Sequence, residues 1–204
     1  EGFATYFALL AEKDIYGEDY FYSKLYDTAQ QIKFASRTDT IPVLNAKASS
    51  LTFYEKGAWT LFVLHESIGD KAFKKAIKSY LNKYAYQTVN TQNFFDEIKK
   101  VSNFDLEKFQ KTWLESTAFD TTTANALLSK NKTIQKRLEI DKLKKIPLAE
   151  KIDVLKSTLE SNVYHSVKEA VVDQLENEKY ESKKPLLLLA LQTNNIEVRQ
   201  NVAQ

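Results

Sequence analysis

Few side chains in this sequence have both the type and the spacing for hydrolytic chemistry. A zinc hydrolase site commonly takes two histidines at i and i+4 on one helix plus a third ligand, leaving one position open for water. The metal lowers the pKa of that water toward neutrality, and a carboxylate takes its proton. The developing oxyanion then needs a donor that keeps its own proton. A tyrosine, with an ordinary pKa of about 10, meets that need. The chain has no cysteine and two histidines, His65 and His165. His65-Glu66-Ser67-Ile68-Gly69 begins like H-E-x-x-H, but Gly69 stands at the second ligand position. His165 lies 100 residues later. One imidazole cannot replace a pair, so both histidines read as structural and Glu66 as an ordinary helix residue. Glu1 opens an apolar stretch (Phe3, Ala4, Phe7, Leu10) suited to holding a ligand rigidly, though taken alone a terminal Glu reads first as a frayed, exposed end. Tyr54, one of 11 tyrosines, taken alone reads first as core or surface.

The elements that must position these residues are helical. Glycine occurs only at 2, 17, 57 and 69, and proline only at 42, 147 and 185. So few breakers, with apolar residues recurring at three and four, predict an all-α chain. Ala58, Leu61, Phe62, Leu64 and Ile68 share one face of a helix that stops at Gly69. A second helix runs from Asp70 through Phe73, Ile77, Tyr80, Leu81 and Tyr84. Thr91 is the expected N-cap of a third, carrying Phe94, Phe95, Ile98 and Val101, and Asp105 that of a fourth with Leu106, Phe109, Trp113 and Leu114 inward. The pattern dissolves between Ser36 and Ser50 around Pro42, which predicts a loop. Leu186 to Leu191 after Pro185 suits a buried helix, and no apolar run approaches the roughly 20 residues that span a bilayer.

Composition changes near residue 120. All 12 Phe, both Trp and nine of the 11 Tyr precede it, whereas the later part is built from Leu, Ile, Val and Ala with Lys and Glu. Two cores of different character imply two domains, 1–120 and 121–204, joined at Thr121-Thr122-Thr123. Val167-Lys168-Glu169-Ala170-Val171 resembles Val198-Arg199-Gln200-Asn201-Val202, about 31 residues on. A helix pair repeated at that period stacks as a HEAT-like or armadillo-like solenoid. Net charge is +2, from 29 basic and 27 acidic residues, which gives no basic footprint for nucleic acid. Lys99-Lys100, Lys144-Lys145 and Lys183-Lys184 sit beside acidic residues and read as solvated helix faces. Asn131-Lys132-Thr133 matches a glycosylation sequon, which has meaning only in a secreted protein. The first residues carry no basic region ahead of the apolar ones, so they do not read as a signal peptide. Compartment is left open.

Two segments, Glu1-Gly2-Phe3-Ala4-Thr5-Tyr6-Phe7-Ala8 and Tyr54-Glu55-Lys56-Gly57-Ala58, together resemble the zinc aminopeptidases of the aminopeptidase N and leukotriene hydrolase family (gluzincins). The likeness continues more weakly through Gly69-Asp70-Lys71-Ala72-Phe73, Tyr80-Leu81, Thr91-x-x-Phe94-Phe95 and Trp113-Leu114. It covers residues 1 to 119, and the remainder only as a helical C-terminal domain. The chain departs from the family's pattern at Ala8, where Glu is usual, and after Trp113-Leu114, where Ser116-Thr117-Ala118-Phe119 replaces a Gly-Tyr-Pro-like turn.

The resemblance implies the helical half of a thermolysin-like catalytic domain followed by the start of a HEAT-like domain. It makes Glu1 the third zinc ligand and Tyr54 the catalytic donor to the oxyanion. The two histidines and the base of H-E-x-x-H, and the G-x-M-E-N motif, are expected upstream of Glu1. It follows that zinc and peptide substrates belong to the intact enzyme, and that this fragment alone is expected to be inactive and to bind zinc weakly at best. The rival expectation is a non-catalytic helical scaffold or binding domain related to the aminopeptidases.

Overall fold

The scarcity of helix breakers is borne out in the computed structural model, which describes residues 1–203. It is all helical, with no strand among the described residues. Gln204, the last residue of the expected second domain, lies outside them. The chain divides into two compact units.

The first unit comprises Glu1–Ile15 and Lys24–Leu127. Helix α1 spans Gly2–Tyr16 and α2 spans Glu18–Ala35. Gly17 separates them with φ of 90°, a left-handed conformation that glycine adopts without Cβ strain. As expected, residues 36–49 form no regular element, and Pro42 lies within them. A π-helical turn, Thr52–Lys56, then leads straight into α3, Gly57–Ile68. Every residue of α3 from Gly57 to Leu64 is buried, which makes it the central helix of this unit. It stops at Gly69 (φ 82°), and α4 runs Asp70–Lys83. Helix α5, Thr91–Lys99, packs against α4. A short α6, Leu106–Phe109, continues into a second π-helical turn, Gln110–Glu115. Helix α7 is Thr121–Leu128. The core is aromatic: the Trp59 ring meets the edges of Phe62 and Phe119, and Phe119 meets Trp113.

One local expectation needs correction. The N-cap of α5 is Asn90, not Thr91. Asn90 accepts from the Asn93 amide, and the Asn93 side chain accepts from the Asn90 amide, a reciprocal box that a hydroxyl one residue later cannot make. The three threonines at 121–123, where the change of composition falls, form the first turn of α7. Asp120 accepts from the amides of Thr122 and Thr123, so a carboxylate just before them starts the helix. Asp105 caps α6 as expected, through the Lys108 amide.

The second unit comprises Tyr16–Ser23 and the chain from Leu128 onward. Helix α8 is Lys132–Lys142, with Asn131 as its N-cap, and a 3-10 turn at Leu143–Lys145 follows. Helices α9 (Leu148–Glu160), α10 (His165–Asp173), α11 (Tyr180–Leu191) and α12 (Ile196–Val202) complete it. Helix α9 packs on α10 and on α11, while α12 packs on α11 and on α10. The core joining them is aliphatic, with Leu155, Leu159, Val167, Val171, Leu175 and Val198 almost wholly enclosed. Beneath it Lys151 is buried but satisfied: its Nζ donates to the Leu143 carbonyl at 3.1 Å and to Gln174 Oε1 at 2.9 Å. The leucine run after Pro185 is only half enclosed. Leu186 and Ala190 face the core, whereas Leu188 and Leu191 are exposed, because an amphipathic helix buries one stripe of an apolar run and not all of it.

Candidate active site

Glu1 immediately precedes α1, and its side chain is exposed. Its carbonyl accepts from the Thr5 amide at 3.0 Å, so the first helical turn closes directly on this residue. Helix α1 is held to its neighbours in three ways. Phe3 stands edge-on to Phe94 of α5, with ring centroids 5.1 Å apart, and stacks on Tyr80 of α4 at 6.0 Å. Tyr6, 1% exposed, places its hydroxyl 2.7 Å from Nδ1 of His65. Gly2 meets Gly57 backbone to backbone: a Cβ built on Gly2 would lie 2.7 Å from the Gly57 carbonyl carbon and 2.8 Å from its Cα. Only hydrogen fits there.

His65 is a structural residue, as the sequence indicated. Burial pushes its pKa down, with its hydrogen bond to Asp70 opposing. The neutral ring then accepts from the Tyr6 hydroxyl at Nδ1 and donates from Nε2 to Asp70 Oδ1 at 3.1 Å. Its face stacks on Phe73 at 4.2 Å. His165 lies in the second unit, where the Glu169 carboxylate 3.5 Å from Nδ1 raises its pKa. Among the described residues there is no group of three or more His, Cys, Asp or Glu that could hold a metal ion.

Tyr54 sits in the middle of the π-helical turn and is 43% exposed. The turn is tied down on both sides of it. The Thr52 hydroxyl donates to Asp39 Oδ2 at 2.8 Å, which anchors the turn to the irregular segment before it. Lys56 is 3% exposed, and its ammonium donates to the carbonyls of Ser116 (2.8 Å) and Thr117 (3.1 Å). Burial pushes the Lys56 pKa down, and the charge of Asp39 partly restores it. The Thr60 hydroxyl donates to the Lys56 carbonyl at 2.8 Å. The amide of Gly57 reaches back to the Thr52 carbonyl, closing the widened turn around Tyr54. Single π-helical turns often mark functional positions, because they re-aim one side chain within an otherwise regular helix.

The Gly2–Gly57 contact thus brings together the two segments singled out in the sequence. Beside it lies an apolar groove of about 340 Å³, lined in part by Glu1, Phe3, Phe53, Gly57 and Phe94. The sequence reading named Glu1 and Tyr54 but missed the contact and the anchoring role of Lys56. Two of only four glycines falling within helical patterns was the available signal, since such a glycine often marks a close backbone approach.

Comparison with known proteins gives the class. A model of the peptidase family M1 domain matches residues 1–113, and the chain belongs to that family. It is 26% identical over 129 residues to aminopeptidase M1-D of Oryza sativa subsp. japonica, covering 58% of this chain and 15% of that protein. To glutamyl aminopeptidase of Mus musculus it is 26% identical over 151 residues, 69% of this chain and 16% of the relative. To aminopeptidase N of Lactococcus lactis subsp. lactis the figures are 27% over 84 residues, 41% and 10%. The chain spans no more than 16% of the length of these relatives. No solved structure matches it.

Proposed function

We propose that this chain is part of a zinc-dependent aminopeptidase that removes N-terminal residues from peptides. Residues 1–120 form the C-terminal helical part of its catalytic domain, and residues 121–204 begin a HEAT-like helical domain. The observation that carries the reading is the M1 family match over residues 1–113, which includes both the Glu1 and the Tyr54 segments. The pairing of α9 with α11 and of α10 with α12 supports the stacked-pair reading of the second region. In this reading Glu1 is the metal-binding carboxylate, and the remaining ligands and the general base come from sequence outside these 204 residues. Tyr54 donates its phenolic proton in a hydrogen bond to the oxyanion that develops at the scissile carbonyl. A donor aimed at developing charge stabilises the transition state more than the ground state, which raises turnover. The 204-residue chain alone lacks the H-E-x-x-H pair and is inactive.

The test is an assay of the full-length protein on aminoacyl anilides, before and after treatment with a chelator. The expected result is release of the anilide, abolished by chelation and restored by zinc. An upstream sequence without H-E-x-x-H, together with no hydrolysis, would overturn the reading in favour of a non-catalytic scaffold.

A further inference from the structure

We infer that Gly2 and Gly57 are positioning residues for the reaction. Their backbone-to-backbone contact fixes where Tyr54 stands relative to Glu1. This inference rests on the aminopeptidase reading and deepens it. Gly57 has two roles in the structure. Its amide closes the π-helical turn that holds Tyr54, and its Cα and carbonyl carbon form the surface on which the start of α1 rests. Gly2 directly follows Glu1, so displacement of that surface moves the Glu1 segment and the Tyr54 segment apart.

The contact is unequal in its tolerance. A methyl group on Gly2 would lie 2.7 Å and 2.8 Å from backbone atoms of Gly57, and helical backbone cannot swing aside as a side-chain tip does. A methyl group on Gly57 would lie 3.0 Å from Gly2 Cα, a shortfall of only a few tenths of an ångström. Neither glycine has a positive φ. Alanine at either position therefore suits the local backbone, and its effect comes through separation of the two segments. Phe3, Tyr6 and Lys56 hold the surrounding elements and keep the fold in place while that separation occurs.

The experiment measures steady-state kinetics of the full-length protein carrying Gly57→Ala, Gly2→Ala, Tyr54→Phe, and Gly57→Ala combined with Tyr54→Phe. Misplacement of a reacting group by about 1 Å can cost 100-fold. Gly57→Ala is expected to lower kcat by about 10-fold with KM nearly unchanged, and Gly2→Ala by more. In the Tyr54→Phe background, Gly57→Ala should cost clearly less than in the wild-type background, because the part of its effect that runs through Tyr54 is already lost and interacting sites are not additive. A crystal structure of the Gly57→Ala protein should show the start of α1 shifted from residue 57. Wild-type turnover in a folded Gly57→Ala protein would overturn the inference, as would full additivity with Tyr54→Phe. Failure of both alanine variants to fold would also overturn it, by making the contact a requirement of folding. Absence of peptidase activity in the unmodified full-length protein is the distinct failure of the aminopeptidase reading.

Discussion

Tyr54 and Glu97 illustrate two opposite uses of a polar side chain in one unit. Tyr54 is partly exposed on a turn whose flanks are pinned by Thr52 and Lys56, so in the proposed aminopeptidase its removal should change turnover more than packing. On that proposal, Tyr54→Phe in the full-length protein should lower kcat by about 100- to 1000-fold with substrate affinity little changed. Kinetics on an aminoacyl anilide checks this, and a near-normal kcat removes Tyr54 from the mechanism. Glu97 is the reverse, with no exposed surface and no access to a ligand. Its carboxylate accepts from Lys100 at 2.6 Å, from Ser79 at 2.7 Å and from Lys83 at 3.1 Å. Those donors, Lys100 foremost and then Ser79, pull its pKa down to about 2 from an ordinary 4.5. A carboxylate with a depressed folded-state pKa stabilises the fold fully above the unfolded value, and loses that contribution as the pH falls toward the folded value. The melting-temperature gap between wild type and Glu97→Gln should therefore be constant near neutrality and narrow between about pH 4.5 and pH 2. A gap that is flat down to pH 3 would contradict the assignment.

The helices themselves were legible from periodicity, and what escaped was the hydrogen bonding between neighbouring backbones. The stop of α3 at Gly69 and the Asp105 cap follow from residue type alone. The α5 cap does not, because Asn90 and Thr91 are both acceptable caps and the choice depends on Asn93 completing the reciprocal pair. Asn90→Ala should destabilise the protein by about 1 kcal/mol, read from denaturant unfolding, whereas Thr91→Ala should cost much less. The π-helical turns were illegible for a related reason. A single widened turn keeps the same apolar residues inward, so no spacing rule reveals the step from i−4 to i−5 hydrogen bonding. Lys56 is the clearest case: a lysine reads as solvated, yet here its ammonium satisfies two loop carbonyls. Lys56→Met leaves those carbonyls without their donor, and unfolding free energy should fall by about 1–3 kcal/mol. An unchanged stability would mean that water replaces the ammonium without cost.

At the scale of the whole molecule, composition separated an aromatic first part from an aliphatic second part, whereas the second compact unit also takes in the aromatic stretch Tyr16–Ser23. The sequence could not show that Tyr16–Ser23 belongs with the second unit, since that membership rests on contacts far along the chain. One is the Asn131 amide donating to Asp19 at 3.0 Å, and another is the 3.0 Å contact between the hydroxyls of Ser23 and Ser166. The consequence is a division of labour that can be measured. Glu1 and Tyr54 lie in the first unit, whereas Leu155, fully enclosed on α9, lies at the centre of the aliphatic core of the second. Truncating an enclosed leucine removes its transfer free energy and leaves a cavity, so Leu155→Ala should cost about 2–5 kcal/mol of stability. The loss should appear in denaturant unfolding followed by circular dichroism. Below the unfolding transition, kcat per folded full-length molecule should stay at the wild-type value, because no group proposed to touch substrate has moved. A kcat that falls in step with the lost stability, under conditions where the variant is fully folded, would show that the second unit helps to shape the site.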